Sequence, residues 1–161
     1  MRIEPLTREH DFSHFDCGDP SLNTYLKSFA LQARSRGLGR TFVAVEEGSN
    51  VVLGYYTRLP NSVVGDLIPE SKSRNSVPVM LFGRLAVVRE RQRDGIGKLL
   101  LRHFFEAAIA FAEEEACFAI TLDALNQEAK NWYLQWGFKE CLDDPFHLYL
   151  PMKTVRKAKL I

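Results

Sequence analysis

The sequence has little of what would mark a secreted, membrane-spanning or metal-binding protein. Its three cysteines, Cys17, Cys117 and Cys141, lie far apart and show neither a CxxC pair nor metal-ligand spacing, so we expect them to be core or surface thiols. No apolar run approaches the roughly 20 residues that a membrane helix needs. Residues 1–5 contain no apolar segment of the kind found in secretory signals. We therefore expect a cytoplasmic protein that does not use a metal.

An excess of charge of either sign is also missing. Lysine and arginine total 21 and aspartate and glutamate total 20, which gives a formal net charge of +1. The composition alone therefore does not predict a nucleic-acid binder, although a local basic surface is compatible with it, because a binding field depends on where charges lie. The length of 161 residues, with 46% hydrophobic and 25% charged residues, is typical of one globular domain with one sizeable core.

The apolar pattern predicts an α/β sandwich around a mixed sheet. Asp19 and Pro20 suit the cap and the first position of a helix. Turn residues at 48–50 separate two apolar runs and so predict a hairpin. The later elements are predicted as a strand over 79–88 after a long connection over 61–77, a helix from Gly95, a strand over 117–122, a helix capped by Asn126 and ended by Gly137, and short strands over 138–141 and 146–150.

The segment that follows Leu85-Ala86-Val87 carries the sharpest chemical signal. An apolar strand enters a basic loop, Gln92-Arg93-Asp94-Gly95-Ile96-Gly97-Lys98, and an amphipathic helix begins there. The first turn of a helix leaves backbone N–H groups unpaired and carries a partial positive charge, so it binds anions. Glycines let a pyrophosphate approach the backbone, and Arg91, Arg93 and Lys98 add charge. The glycines alone are equally typical of a turn, and neither a Walker loop nor a complete GxGxxG is present.

These residues resemble the GNAT-type N-acetyltransferases. Gln92 to Gly97 is similar to that superfamily's Q/R-x-x-G-x-G/A pattern, and Asn126, Ala129, Tyr133 and Gly137-Phe138 fit its N-x-x-A-x-x-x-Y-x-x-x-G-F ending. The two motifs occur in the expected order with one helix and one strand between them. The resemblance implies a single GNAT domain over 1–161 that uses acetyl-CoA. It implies that CoA is bound by Leu85, Ala86, Val87, Gln92, Arg93, Asp94, Gly95, Ile96, Gly97, Lys98, Asn126 and Ala129.

A narrower resemblance is to the GNAT toxins of bacterial toxin–antitoxin modules. It rests on residues 15–18, 22–26, 83–87 and 129–133. It implies acetylation of the α-amine of aminoacyl-tRNA, which blocks translation, together with a ribbon-helix-helix antitoxin and a homodimer. The opening motif is less specific than the CoA motif, because a capped helix that packs on the sheet explains it equally well.

The resemblance also implies a mechanism in which the amine attacks the thioester directly. A bulge in the strand before the CoA loop frees a backbone N–H for the oxyanion, and Val87 matches that position. Tyr133 matches the acid that serves the CoA thiolate, although aromatics at helical spacing are usually core. A thiol titrates near 8.5 and tyrosine near 10, so full proton transfer costs about 2 kcal/mol, which favours hydrogen-bond donation by Tyr133. No general base stands out among four scattered histidines, and a water path suffices for an α-amine.

The acceptor is less well determined by the sequence. Arg34, Arg36 and Arg40 lie in a glycine-broken segment and are predicted to contact tRNA, with Lys72 and Arg74 closing over the same end and a basic tail at 156–159. Basic runs are, however, usually solvated surface. Two alternatives stay open at this point: a GNAT enzyme that acts on a small amine or a protein N-terminus, and a CoA-binding regulatory module without turnover. Tyr133 and the glycine motif argue against the second.

Overall fold

A computed structural model describes residues 1–158, so Lys159 of the predicted basic tail lies outside the described residues. Seven strands form a mixed sheet in the order β1-β2-β3-β4-β5-β7-β6, in which β4 and β5 run parallel. The strands are β1 Arg2–Pro5, β2 Arg40–Val45, β3 Gly54–Val64, β4 Ser76–Val87, β5 Ala119–Asp123, β6 Lys139–Glu140 and β7 His147–Pro151. The helices are α1 Pro20–Thr24, a π-helical turn Tyr25–Phe29, α2 Ala30–Ser35, α3 Ile96–Glu114, α4 Gln127–Leu134 and α5 Met152–Val155.

The described chain divides into two compact units, of which the first comprises residues 1–59 and 83–104. Asp19 caps α1 by accepting hydrogen bonds from the N–H groups of Ser21 and Leu22, with Pro20 at the first helical position, as the sequence predicts. Tyr55 fixes this helix by donating from its hydroxyl to the carbonyl of Leu22 at 2.7 Å. The core of this unit consists of Leu6, Phe15, Leu26, Ala30, Val43, Val45, Val52, Tyr55, Ala86 and Val88.

The second unit comprises residues 60–82 and 105–161, described to residue 158. Its strands β5, β7 and β6 pair antiparallel in that order. One face of these strands is covered by the 3₁₀ turns Gly65–Leu67 and Pro69–Ser71, since the N–H of Leu142 donates to the carbonyl of Leu67 at 3.1 Å. The hydrophobic cluster on that face consists of Ile68, Val77, Val79, Ala119, Cys141 and Tyr149.

Helix α3 has the amphipathic pattern that the sequence predicts. Ile96, Leu100, Phe104 and Ala108 recur at helical spacing and are all buried. Its remaining faces carry charged side chains such as Arg102. Over residues 1–158, no helix combines the length and the apolar character that crossing a membrane would require.

The structure corrects the sequence prediction at four elements. Strand β1 was not predicted because it has one apolar side chain, Ile3, and owes its place to backbone pairing with β2. Strand β3 continues past Pro60 to Val64, and strand β4 begins before Pro78, at Ser76. The predicted connection between them is therefore shorter. Proline can occupy a strand position whose N–H is not needed by the ladder, so it is not always a strand boundary. The short helix α5 was also missed.

Candidate active site

The loop between β4 and α3 forms a helix N-terminus with free donors. The carbonyl of Gly95 accepts from the N–H of Leu99 at 3.1 Å, so Gly95 caps α3. The N–H groups of Ile96 and Gly97, in the first turn, donate to no acceptor within residues 1–158. Gly95 has a φ of +85°, and no atom lies within 4 Å of where its Cβ would be, so backbone conformation rather than crowding requires glycine there. Arg93 also adopts positive φ, at 72°.

The side chain of Gln92 holds this loop in place through two hydrogen bonds. Its Nε2 donates to the carbonyl of Val87 and to the carbonyl of Cys17, both at 2.9 Å. The amide therefore ties the end of β4 to the segment before α1. Gln92 was predicted to contact CoA. Its side-chain amide makes hydrogen bonds within the protein, so its backbone remains available to contact CoA.

The charged side chains of the loop are partly neutralised by one another. Arg91 forms ion pairs with Asp94 at 2.8 Å and with Glu46 at 2.9 Å. These carboxylates raise the pKa of Arg91, and the hydrogen bond that Arg91 donates to Asp94 is the largest cause. The sequence predicted that Arg91 supplies charge for phosphates; its charge is shared with two carboxylates, and its contact with a phosphate stays a prediction. Arg93 is exposed and forms no ion pair with a described carboxylate, so its charge is available to an anion.

Alternation along β4 separates the three strand residues that were predicted to line the pantetheine. Leu85 and Val87 share one face and are half-buried, whereas Ala86 is 5% exposed and packs into the core of the first unit. Val88 follows with its N–H donating to the carbonyl of Leu53 at 2.9 Å. The side chain of Ala86 is therefore directed away from the face of Leu85 and Val87, and the prediction is corrected for that side chain. The bulge predicted at Val87 stays a prediction.

Tyr133 lies in the second unit and is 7% exposed. Its ring packs edge-on against Phe82, Trp132 and Phe138, with centroid separations of 6.2, 5.1 and 5.7 Å. Burial raises the pKa of its phenol well above the usual value. The hydroxyl has no hydrogen-bond partner in the part of the chain that the structure describes, although a buried tyrosine O–H normally finds one. The hydroxyl oxygen is not fully buried, so this donor is open to a ligand atom.

Asn126 and Ala129 have a local structural explanation for their spacing. The Oδ1 of Asn126 accepts from the N–H of Ala129 at 2.8 Å, so Asn126 is the N-cap of α4. Both residues were predicted to bind CoA. The structure assigns this pair to the start of the helix that carries Tyr133, and their contact with CoA stays a prediction.

Two arginines lie over one aromatic ring in the first unit, and the charge of a third, Arg34, acts on one of them. Arg58 lies over the ring of Phe42 at 4.1 Å and Arg40 at 5.0 Å, measured from the guanidinium carbon to the ring centroid. Arg34 donates to the carbonyl of Leu6 at 3.4 Å. Desolvation first, and then the charges of Arg58 and Arg34, lower the pKa of Arg40. None of the three forms an ion pair with a carboxylate of residues 1–158, so their charges are uncompensated. Arg58 was missed because it stands alone inside an apolar strand pattern.

A second basic surface surrounds Tyr25 and Phe29. The guanidinium of Arg84 lies 3.6 Å above the ring centroid of Tyr25. A depression of about 400 Å³ is lined by Arg84, Arg36, Tyr25, Phe29, Leu38 and two further residues. Phe29 is 53% exposed, which is unusual for so large an apolar ring. Arg36, which the sequence selected, therefore adjoins Arg84, which it did not. An exposed arginine inside an otherwise apolar strand was the signal available.

The remaining basic residues predicted to contact the substrate lie in the second unit. Lys72, in a left-handed conformation with φ of 51°, and Arg74 line a depression of about 270 Å³. Arg156 and Lys157 are exposed after α5. Their contact with tRNA stays a prediction.

The sequence matches a known family over most of its length. Residues 37–140 match the family model described as "Acetyltransferase (GNAT) domain". The match includes the loop at 92–98 and α4 with Tyr133. The chain therefore belongs to the GNAT acetyltransferases, and the predicted enzyme class and mixed-sheet fold are confirmed.

Individual relatives narrow the comparison. The chain is 37% identical to a protein described as "tRNA-acetylating toxin" from Mycobacterium tuberculosis (strain ATCC 25618 / H37Rv), over 149 residues that make up 91% of this chain and 89% of that protein. It is similar to AtaT complexed with acetyl-methionyl-tRNAfMet, with a TM-score of 0.89, 25% identity and 97% of each chain covered. It is also similar to AtaTR bound with AcCoA, with a TM-score of 0.84, 25% identity and 97% and 96% of the two chains covered.

Proposed function

We propose that this GNAT acetyltransferase moves the acetyl group of acetyl-CoA to the α-amine of aminoacyl-tRNA and thereby blocks translation, as a toxin in the cytoplasm. One observation carries the enzymatic half of the proposal: the hydroxyl of Tyr133, on a buried ring, has no hydrogen-bond partner among the described residues and is open to a ligand atom. The similarity to a tRNA-acetylating toxin supports the acceptor. No step of this reaction calls for a metal, because the amine attacks an already activated thioester.

The first unit supplies the groups proposed for the pyrophosphate. The pyrophosphate accepts from the N–H groups of Ile96 and Gly97 at the positive end of α3. Gly95 makes the required backbone conformation, and Arg93 supplies a charge that no described carboxylate neutralises. The residues proposed for this role are Leu85, Val87, Gln92, Arg93, Asp94, Gly95, Ile96, Gly97 and Lys98, with Ala86, Asn126 and Ala129 acting through the backbone.

Charge develops at two atoms during transfer. The carbonyl oxygen becomes an oxyanion, which we assign to the backbone N–H of Val87. The sulfur leaves as a thiolate, which we assign to the hydroxyl of Tyr133. Because burial raises the pKa of Tyr133 above 10 while a thiol titrates near 8.5, complete proton transfer is uphill by more than about 2 kcal/mol. Tyr133 therefore donates a hydrogen bond to the sulfur, and the proton passes late, if at all, before CoA leaves.

The uncompensated arginines of the first unit suit a polyanionic acceptor. Arg34, Arg36 and Arg40, which the sequence selected, are joined by Arg58 and Arg84. A free amino acid or a small amine offers no row of phosphates for five such guanidiniums. Exposed Phe29 and Tyr25 beside Arg84 add a surface on which bases stack. These features favour charged tRNA over a small amine or a protein N-terminus.

A toxin of this kind needs an inhibitor in its own cell. We propose an antitoxin of the ribbon-helix-helix class whose amphipathic, acidic tail covers the basic surface of the first unit, and a homodimeric toxin. Growth arrest on expression of the toxin alone, relieved by co-expression of the adjacent small gene, tests the partner. Light scattering of the purified protein tests the dimer.

The proposed function is tested by comparing acceptors under one set of conditions. Release of CoA is measured with charged tRNA, with the same tRNA deacylated, with free amino acids and with a peptide that has a free N-terminus. We expect turnover with charged tRNA only. Turnover with peptide or amino acid that equals turnover with charged tRNA would leave a general GNAT enzyme.

A further inference from the structure

A group of ligating side chains lies at the end of the sheet in the second unit, apart from the groups assigned to acetyl transfer. Cys141, Asp143 and His147 each offer one ligand atom, and these atoms all lie within 4.8 Å of one another. The spacing C-x-D-x₃-H crosses a strand, a turn and the next strand, so it does not resemble a familiar metal motif. For this reason the sequence predicted Cys141 only as a core or surface thiol.

The strand register explains why these side chains meet. His147 stands opposite Asp123 in the β5–β7 pair. The N–H of Cys141 donates to the carbonyl of His147 at 2.7 Å, which continues the β6–β7 register by one residue. Residues directly opposite in an antiparallel pair project to the same face. Asp123, His147 and Cys141 therefore form a row across three adjacent strands, and the turn after Cys141 brings in Asp143.

The thiol of Cys141 is a buried group that no other group satisfies. The residue is 4% exposed, and its Sγ makes no hydrogen bond with any residue from 1 to 158. By contrast, the Sγ of Cys117 contacts the carbonyl of Ala119 at 3.5 Å. The carboxylate of Asp143 lies close to this thiol and favours a cation beside it.

From this geometry we propose that Cys141, Asp143 and His147 hold one Zn²⁺ ion, with Asp123 or a water as the fourth ligand. Thiolate, imidazole and carboxylate are together typical of zinc rather than of magnesium or calcium. The Nδ1 of His147 lies 3.0 and 3.2 Å from the two oxygens of Asp143. This contact is a hydrogen bond in the metal-free protein, and ligands at zinc bond lengths of about 2.0–2.1 Å are roughly 3.3 Å apart in a tetrahedron, so both atoms can reach one ion with little movement once Nδ1 gives up its proton.

Binding releases the thiol proton to solvent and ties β6 to β7 through the turn between them. The side chain of Asp143 is 42% exposed and that of His147 15% exposed, so the ion has an entry path from solvent. Since α4 is followed directly by β6, the ion fixes the segment that ends the helix of Tyr133. The expected role is structural, and its readouts are metal binding and thermal stability rather than acetyl transfer.

The test uses the untagged full chain, stripped with a chelator and titrated with Zn²⁺ and with Co²⁺. We expect one ion per chain and a thiolate-to-cobalt charge-transfer absorption. Cys141→Ser should abolish that absorption and weaken Zn²⁺ binding at least about 100-fold, since even outer-shell partners are worth 10- to 100-fold. Cys117→Ser, the matched control, should leave both unchanged.

Asp143→Asn keeps the test decisive if Cys141→Ser does not fold. Because Asp143 is exposed, the circular dichroism spectrum of this variant should match that of the wild type. The variant should bind Zn²⁺ at least about 10-fold more weakly. Zn²⁺ should raise the melting temperature of the wild type and of Cys117→Ser only. The proposal is overturned if the wild type shows no thiolate absorption with Co²⁺, or if Cys141→Ser or Asp143→Asn binds Zn²⁺ as tightly as the wild type.

Discussion

At the scale of single residues, the account depends on Tyr133. Its ring fills a space between three aromatic side chains, which is how a core tyrosine behaves. Its hydroxyl differs, because it donates to no acceptor among the described residues and is not fully buried. The contrast with Tyr149 is informative, because the hydroxyl of Tyr149 donates to Glu70. The hydroxyl of Tyr149 has its partner within the protein, whereas we propose that the hydroxyl of Tyr133 donates to the substrate.

Replacing Tyr133 by phenylalanine separates these two roles. Tyr133→Phe keeps the ring contacts and deletes the donor to the thiolate, so turnover should fall about 10²- to 10⁴-fold, with little change in acetyl-CoA affinity. Steady-state kinetics and calorimetry check this. Tyr149→Phe, the matched control, should lower the melting temperature while turnover is kept. Undiminished turnover in Tyr133→Phe would remove Tyr133 from the mechanism.

The raised pKa of Tyr133 also makes a prediction about pH. A phenol whose pKa is raised stays protonated to a higher pH, so the donor should be present throughout the range from 6 to 9. The acceptor amine must instead be neutral, and α-amines titrate near 7.7–8.0. We therefore expect kcat/KM to rise between pH 6 and 8 and then to level off. Profiles with a stable amide-linked aminoacyl-adenosine check this, and a decline that begins below pH 9 in the wild type but not in Tyr133→Phe would contradict it.

At the scale of elements, the start of α3 is the feature that binds the co-substrate. Gly95 caps the helix in a left-handed conformation, and Gln92 ties the same loop to Val87 and Cys17. The donors of the first turn are thus held in place before CoA arrives. A site that is already ordered loses less conformational entropy on binding.

A charge placed in this first turn should abolish acetyl-CoA binding. Gly97→Glu adds a side chain where the pyrophosphate approaches and a negative charge that repels it. Calorimetry should detect no binding at acetyl-CoA concentrations that saturate the wild type. Leu99→Glu is the matched control, because Leu99 is exposed and its N–H already donates to Gly95. Equal affinity in Gly97→Glu and the wild type would refute the placement of CoA.

The elements also show what the sequence could and could not predict. The CoA loop was predictable because glycines and a helix cap act locally, within a few residues. Strand β1 was not, because its position comes from pairing with a strand some forty residues later. The direction of Ala86 into the core, and the neutralisation of Arg91 by Glu46, likewise depend on contacts that are distant in sequence. The proximity of Cys141, Asp143 and His147 could not be predicted either, because it depends on the register of three strands.

At the scale of the whole molecule, a net charge of +1 conceals an uneven distribution. Arg2 and Arg91 are matched by nearby carboxylates, whereas Arg34, Arg40 and Arg58 are not, among residues 1–158. The net charge could be counted from the sequence, but which arginines pair with carboxylates could not be predicted from it. A surface of unmatched arginines on a nearly neutral protein favours a local anionic ligand over general attraction to polyanions.

Removing three of these charges should weaken the use of tRNA but not of acetyl-CoA. Arg34/Arg36/Arg40→Ala should raise the KM for charged tRNA and reduce its salt dependence, because each single-strand phosphate contact contributes about 0.7 to the slope of log affinity against log salt. The loss should shrink at high salt, where the wild type also weakens. The charge-preserving Arg34/Arg36/Arg40→Lys variant should keep most of the slope. An unchanged slope in the alanine variant would make these arginines ordinary solvated surface.

The most direct test of the central claim is to find where the acetyl group goes. A pool of charged tRNA is incubated with the protein and isotopically labelled acetyl-CoA, digested with ribonuclease, and the released aminoacyl-adenosines are analysed by mass spectrometry. We predict label on the α-amine of aminoacyl-adenosine, with none on deacylated tRNA and almost none with Tyr133→Phe. Consumption of acetyl-CoA with label on free amines or peptides, and with none on aminoacyl-adenosine, would contradict the account.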